Sequence, residues 1–281
     1  RRGSNNNAGG SLIQPVGKGG IVPESLVEAV DRSFIDFPFQ AGSGLAARAR
    51  IGVVVLASDH TVEHEFWELV AQPGVAVHFT RIASSAIITP TTLAAMEDTI
   101  ASQAALILPD AQLDVLAYAC TSASIVLGED RVFDQIQKGR PEARPNTPIT
   151  SAFAAFDALN VRRIAVLTPY TRDVNELVRG YMEARGYTVP VFGSFNEPDD
   201  NIVACITTDS LRRAVLALGK RGDVDAVFVS CTSVRLADAI ASLEAELGKP
   251  VLSSNQVLAW HSLRLAGIQD RMAQWGRLFT Q

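Results

Sequence analysis

Two short stretches, residues 115–122 (VLAYACTS) and residues 226–233 (AVFVSCTS), decide the fold. Each is an apolar run of strand length that ends in the tripeptide Cys-Thr-Ser. The number of residues between the two tripeptides is nearly the same as that between two other apolar runs, which begin at Ile51 and Ile164. A nearly constant offset predicts a duplicated chain with two equivalent lobes.

Around these stretches, short apolar runs alternate with segments of helical periodicity. The first lobe is predicted to contain strands over residues 51–57, 75–80 and 115–119 and helices over residues 60–71 and 90–108. The second lobe is predicted to contain strands over residues 164–168, 188–192 and 226–230 and helices over residues 173–185 and 208–220. Strands that alternate with helices indicate right-handed crossovers. The predicted class is therefore α/β, with two pseudo-symmetric lobes, each a mostly parallel sheet flanked by helices.

Composition separates an N-terminal region from these lobes. The chain begins with a segment rich in Gly, Asn and Ser, so residues 1–48 are predicted to form a flexible extension. The first lobe is expected to cover residues 49–155 and the second residues 156–254. A C-terminal helix within residues 255–281 is expected to pack back on the first lobe.

Charge and hydropathy narrow the classes of partner. The 281 residues carry a formal net charge of −5 and contain no run of Lys or Arg, which argues against nucleic acid and anionic membranes as partners. No apolar stretch has the length of a membrane span, so a cytoplasmic protein is expected. Three cysteines cannot close a disulfide framework, and free thiols are predicted.

The two Cys-Thr-Ser turns are predicted to lie at the carboxyl ends of equivalent strands, where ligands bind in open α/β sheets. A helix that follows such a turn directs backbone N–H groups at the thiol and lowers its pKa toward neutrality. The same N–H groups, with the hydroxyls of Thr121, Ser122, Thr232 and Ser233, suit a carboxylate. A single cysteine in this position is more often a small buried hydrophobe, but two at matched positions favour catalysis.

Other chemistry-bearing residues give weaker signals. His60 and His64 share a helix face, but His-Thr-Val-Glu-His lacks the order of a zinc motif and no third ligand is evident, so no metal site is predicted. Cys205 lies in an apolar run and is expected in the core. Neither a dinucleotide fingerprint nor a phosphate loop is present, and no cofactor is predicted.

Two long segments carry a family resemblance. Residues 113–128 (LDVLAYACTSASIVLG) and 224–267 (VDAVFVSCTSVRLADAIASLEAELGKPVLSSNQVLAWHSLRLAG) resemble the cysteine motifs of maleate isomerases and arylmalonate decarboxylases. These are cofactor-independent members of the aspartate/glutamate racemase superfamily, and the resemblance covers about residues 50–270. Residues 53–66 (VVVLASDHTVEHEF) and 78–83 (HFTRIA) look most similar to the ectoine utilization protein A subgroup.

The resemblance implies roles for individual residues. Cys120 matches the first-lobe cysteine, which acts as nucleophile or acid/base, and Cys231 matches its acid/base partner in the second lobe. Tyr170 and Asn201 match substrate-binding positions, and Thr121, Ser122, Thr232 and Ser233 match the donors of two carboxylate pockets.

One position departs from the pattern of the maleate isomerases. They have asparagine where this chain has Asp59. A carboxylate there should disfavour a dicarboxylate and favour a cationic amine. Alternatively, Asp59 only caps the following helix.

The predicted function is a cofactor-independent two-cysteine isomerase or racemase of a small carboxylate-bearing or amino-acid substrate, as the resemblance implies in ectoine or hydroxyectoine degradation. Maleate cis-trans isomerisation and arylmalonate-type decarboxylation are the enzymatic alternatives. A noncatalytic small-molecule-binding protein is the third, and homo-oligomerisation stays open.

Overall fold

Two four-stranded parallel sheets organise the part of the chain that the computed structural model describes, residues 37–281. The first sheet has the order β2-β1-β3-β4 and consists of β1 (Ala49–Leu56), β2 (Val75–Ile82), β3 (Val115–Ala119) and β4 (Arg144–Asn146). The second has the order β6-β5-β7-β8 and consists of β5 (Ile164–Thr168), β6 (Phe192–Ser194), β7 (Ala226–Val229) and β8 (Val251–Ser253). The identical order confirms the predicted pair of α/β lobes, which lie within one compact unit, residues 43–281.

Helices connect and cover the strands. In the first lobe they are α1 (Val62–Val70), α2 (Pro90–Ala94), α3 (Glu97–Ala105), α4 (Thr121–Leu127), α5 (Glu129–Gly139) and α6 (Pro148–Ala158). In the second they are α7 (Arg172–Ala184), α8 (Asp200–Val203), α9 (Thr208–Gly219), α10 (Ala237–Leu247) and α11 (Ser254–Leu265). Two 3₁₀ turns, Ala273–Trp275 and Arg277–Thr280, follow. No helix in the described range is long and apolar enough to cross a membrane.

The central strands are apolar throughout because helices cover both faces of each sheet. All residues of β3 and β7 are buried, and in β1 every residue except Arg50 is buried. The last helix of the chain, α11, packs against α6 and α1 and against β3 of the first sheet.

Two elements differ from the sequence prediction. The helix expected over residues 90–108 is divided by a turn at Ala95 and Met96, so that α2 packs on α4 while α3 packs on α5, β1 and β2. The strand expected over residues 188–192 begins only at Phe192. Pro190 has no N–H to contribute to a ladder there.

Candidate active site

The carboxyl ends of β3 and β7 bring the two Cys-Thr-Ser turns together. Cys120 is the N-cap residue of α4, and its Sγ accepts a hydrogen bond from the Ala123 N–H at 3.4 Å. The Thr232 hydroxyl donates to the carbonyl oxygen of Ala119 at 3.3 Å, which links one strand end directly to the other. Both thiols are buried, with exposed fractions of 4% for Cys120 and 5% for Cys231.

Tyr170 is a third buried residue near the two cysteines. Its hydroxyl interacts with the thiol of Cys231 and with the hydroxyl of Ser122, and the phenol is buried. Burial raises the pKa of Tyr170 well above its usual range, and a negative charge on either cysteine sulfur would raise it further. The phenol is therefore neutral and can act as a hydrogen-bond donor in the site.

A small cavity opens next to these residues. Its free volume of about 20 Å³ is room for roughly one water molecule. The lining residues are Leu56, Ser85, Ile88, Thr92, Leu93, Met96, Cys120, Ser122, Asp200, Thr232 and Ser233. Two backbone hydrogen bonds, from Ile88 N to Pro198 O at 2.9 Å and from Asp200 N to Ala86 O at 2.8 Å, join the loops of the two lobes beside it. The cavity is therefore too small for a metabolite in the described conformation.

Three of the four predicted hydroxyl residues, Ser122, Thr232 and Ser233, line this cavity. The fourth, Thr121, instead shares a hydrogen bond with the Ser254 hydroxyl, with 2.7 Å between the two oxygen atoms. This bond ties the turn after β3 to the start of α11. In the described conformation, Thr121 does not face the cavity but stabilises the packing of this turn against α11.

Asp59 combines features of both roles considered for it. Its Oδ1 accepts the backbone N–H groups of Thr61 and Val62, both at 2.8 Å, so it caps the start of α1. Its Oδ2 is buried and has no hydrogen-bond partner among the described residues. The charge of Asp59 also reaches both thiols, where it contributes to a raised pKa.

The structure places Asp200, not the predicted Asn201, in the cavity. Asn201 is exposed, and its side chain bonds to Asp199 and to the ring of His60, with 3.1 Å between its Oδ1 and the His60 Nε2. Asp200 is 3% exposed and lines the cavity beside Ser233. The sequence analysis selected Asn201 because residues 196–200 form a loop without helical or strand periodicity. Such a loop does not show which of two neighbouring side chains faces the cavity.

Comparison with known proteins identifies the family. Residues 51–279 match the family model described as arylmalonate decarboxylase. The chain belongs to the arylmalonate decarboxylase family. It is 31% identical to a maleate isomerase of Nocardia farcinica over 83% of this chain and 96% of that protein.

Solved structures of this family superpose well on the described fold. The maleate isomerase Iso of Pseudomonas putida S16 matches with a TM-score of 0.75 and 27% identity, covering 83% of this chain and 98% of that one. A cysteine-to-serine mutant of the Nocardia farcinica maleate cis-trans isomerase, with a covalently bound succinylcysteine intermediate, matches with a TM-score of 0.73 and 29% identity. That match covers 82% of this chain and 98% of the other.

The thiols of this arylmalonate decarboxylase family member differ in acidity from the sequence prediction. Burial raises the pKa of Cys120 to about 12, and it raises the pKa of Cys231 well above the usual range. The Ala123 N–H and the Ser122 hydroxyl favour the Cys120 thiolate but do not offset burial. Cys231, moreover, is followed by a turn rather than a helix, since α10 begins only at Ala237. The prediction of near-neutral pKa values was therefore wrong for this closed conformation.

A buried acid that the sequence did not reveal supports the second cysteine turn. The Oε1 atom of Glu65 accepts the N–H groups of Leu236 and Ala237, both at 2.7 Å, and its Oε2 atom accepts from the Asn255 side chain at 2.8 Å. Asn255 also donates to the Thr232 carbonyl at 2.8 Å. Burial raises the pKa of Glu65 to about 7. Glu65 thus connects α1, α10 and α11 directly behind the turn that carries Cys231.

The third cysteine is exposed, so its predicted burial was wrong. Cys205 lies in the turn after α8, and although the run 202–206 is apolar, its residues do not form one buried face.

We therefore expect iodoacetamide near neutral pH to label Cys205 at least about 10-fold faster than Cys120 or Cys231, because thiolate content and access set the rate. Peptide mass spectrometry over a time course measures this order. Labelling of Cys120 or Cys231 before Cys205 would show that the site is open and its thiols acidic in solution.

Proposed function

We propose that this family member is a cofactor-independent isomerase or racemase of a small carboxylate-bearing metabolite, with Cys120 and Cys231 as its reacting groups. The observation that carries the proposal is that two buried thiols lie at strand ends joined by the hydrogen bond from Thr232 to the Ala119 carbonyl, with the buried phenol of Tyr170 near both. Two acid/base groups of the same kind on either side of one carbon can act as a pair.

In racemisation, the thiolate of one cysteine takes the proton from the carbon next to the substrate carboxylate. The bonding electron pair moves into the carboxylate as an enediolate, and the thiol of the other cysteine returns a proton to the opposite face. The hydroxyls of Ser122 and Ser233 and the phenol of Tyr170 are donors suited to the charge that develops on the carboxylate oxygens, and the Thr232 hydroxyl joins them only if it gives up its bond to the Ala119 carbonyl.

In cis-trans isomerisation, the same thiolate acts as a nucleophile. Its sulfur forms a C–S bond to one alkene carbon, the π electrons move toward the adjacent carboxylate, and rotation about the new single bond follows. Breaking the C–S bond restores the alkene and the thiolate. The succinylcysteine in the Nocardia farcinica isomerase supports this route for a relative.

The resemblance of residues 53–66 and 78–83 to the ectoine utilization protein A subgroup extends the proposal to ectoine or hydroxyectoine degradation.

Proton NMR in deuterium oxide tests the reaction on amino acids, diaminobutyrate derivatives, unsaturated dicarboxylates and disubstituted malonates. We expect α-hydrogen exchange or alkene isomerisation for at least one compound without added cofactor. Loss of carbon dioxide from a malonate without either reaction would instead identify a decarboxylase, and binding without any turnover would favour a binding protein.

A further inference from the structure

We propose that Asp200 binds an ammonium group of the substrate and so restricts the proposed enzyme to amino-bearing carboxylates. The inference rests on the proposed function for the location of the substrate, but it does not depend on which of the two reactions takes place. It concerns a residue that determines specificity.

Asp200 is held with its carboxylate at the cavity. Its backbone N–H donates to the Ala86 carbonyl of the other lobe at 2.8 Å, and its Oδ2 accepts from the Ser58 hydroxyl at 2.7 Å. The side chain lines the cavity together with Cys120 and Ser233. A ligand that contacts the thiol of Cys120 therefore also comes close to this carboxylate.

No basic side chain in the described range forms an ion pair with this carboxylate or with that of Asp59, and the one basic group whose charge acts on Asp200 is the exposed ring of His60. Arg81 reaches the backbone carbonyl of Asp59 at 3.0 Å, but its charge pairs with Glu63. The Oδ2 of Asp59 is buried and unpartnered among the described residues. The donors that these carboxylates already have are neutral: the Ser58 and Ser233 hydroxyls for Asp200 and two backbone N–H groups for Asp59. A bound cation would add the opposite charge that a buried carboxylate favours.

The sign of this charge selects the ligand. A dicarboxylate in this cavity would place its second carboxylate near Asp200 and Asp59, where removal of water makes the repulsion stronger. An ammonium group has three donors, can bond Asp200 directly and offsets the negative charge of both aspartates. Charge complementarity therefore favours a zwitterionic or cationic substrate over a dianion.

The same contact would couple recognition to reactivity. Burial is the main reason that the pKa of Cys231 is raised, and the charge of Asp200 is the next contribution. Asp200 and Asp59 also raise the pKa of Cys120. A bound ammonium group would oppose these contributions, so that thiolate forms more readily with an amino-bearing substrate in place.

Calorimetric titration with four acids of one carbon chain tests the inference: butyrate, 2-aminobutyrate, 4-aminobutyrate and 2,4-diaminobutyrate, with maleate as the dianion. We expect the wild-type protein to bind at least one amino-bearing acid about 10-fold or more tightly than butyrate, and more tightly than maleate. In Asp200→Asn, that preference should fall by about 10-fold or more while butyrate affinity changes little. The neighbouring Asp199→Asn removes the same charge outside the cavity and should keep the wild-type preference.

Equal binding of butyrate and all three amino acids, no binding of any amino-bearing acid at millimolar concentrations, or tighter binding of maleate by the wild-type protein would overturn the inference. Retention of the amine preference in a folded Asp200→Asn would overturn the role of this residue. Should Asp200→Asn fail to fold, the wild-type comparison alone still decides the substrate class. Amine-selective binding without turnover contradicts the proposed function only, whereas isomerisation of maleate without amine selectivity contradicts this inference only.

Discussion

Replacing either cysteine of the pair, as Cys120→Ala or as Cys231→Ala, is expected to lower turnover by about 10³-fold or more. Each thiol is assigned a proton transfer or a bond to carbon that no other described group near the cavity replaces, and a positioned acid/base group contributes roughly 10²- to 10⁴-fold. The measurement is the initial rate on whichever compound the NMR experiment identifies. Cys205→Ala, the exposed cysteine, is the matched control and should keep the wild-type rate.

The single variants also distinguish the reactions. For a racemase, each variant should lose racemisation but still exchange the α-hydrogen of one enantiomer, because the remaining thiol faces one side of the carbon. Cys120→Ala and Cys231→Ala should then select opposite enantiomers. For the nucleophilic route, one variant should lose both adduct formation and isomerisation. A folded single-cysteine variant with wild-type turnover would contradict the two-thiol mechanism.

The fold could be predicted because its signal lies in the local pattern. β3 and β7 are apolar throughout and end in the same tripeptide, and buried parallel strands leave this pattern in any sequence. The division of α2 from α3 could not be predicted in the same way. Residues 90–108 keep helical periodicity, and the turn at Met96 depends on how α2 covers the site.

Within the candidate site, the sequence indicated mainly the residues that directly follow β3 and β7. Asp200 follows a loop without periodicity, so its direction depends on the contact of its N–H with Ala86 in the other lobe. Glu65 lies in an amphipathic helix in which charged residues usually face water. The thiol pKa values were mispredicted because local N–H groups were considered and burial, a tertiary property, was not.

Glu65 shows how a residue outside the cavity can set the position of a proposed reacting group. Its carboxylate accepts two N–H groups at the start of α10 and one from Asn255, which in turn holds the Thr232 carbonyl. The Thr61 hydroxyl also donates to the Ser233 carbonyl at 2.8 Å. The turn that contains Cys231 is therefore fixed from α1 and α11, where sequence periodicity indicated only packing.

Glu65→Leu is accordingly expected to lower the free energy of unfolding by about 3–5 kcal/mol, because it leaves three buried donors without acceptors. Glu65→Gln, which keeps an acceptor for α10, should cost about 1 kcal/mol. Urea unfolding followed by circular dichroism measures both. Glu68→Gln, on the same helix but partly exposed, is the matched control and should change stability by less than about 0.5 kcal/mol.

The pH dependence of stability separates Glu65 from its neighbours. Its pKa of about 7 in the folded protein lies above the ordinary value of 4.5, so the folded state binds more protons than the unfolded state between these pH values. Its contribution is therefore fully present below about pH 4.5 and is lost as the pH rises through about 7, a change of roughly 3 kcal/mol. Glutamine does not titrate, so the difference in unfolding free energy between wild type and Glu65→Gln should shrink, or reverse in favour of the variant, from pH 5 to pH 8. A difference that stays constant across this range would mean that Glu65 keeps an ordinary pKa and that its three donors offset its burial.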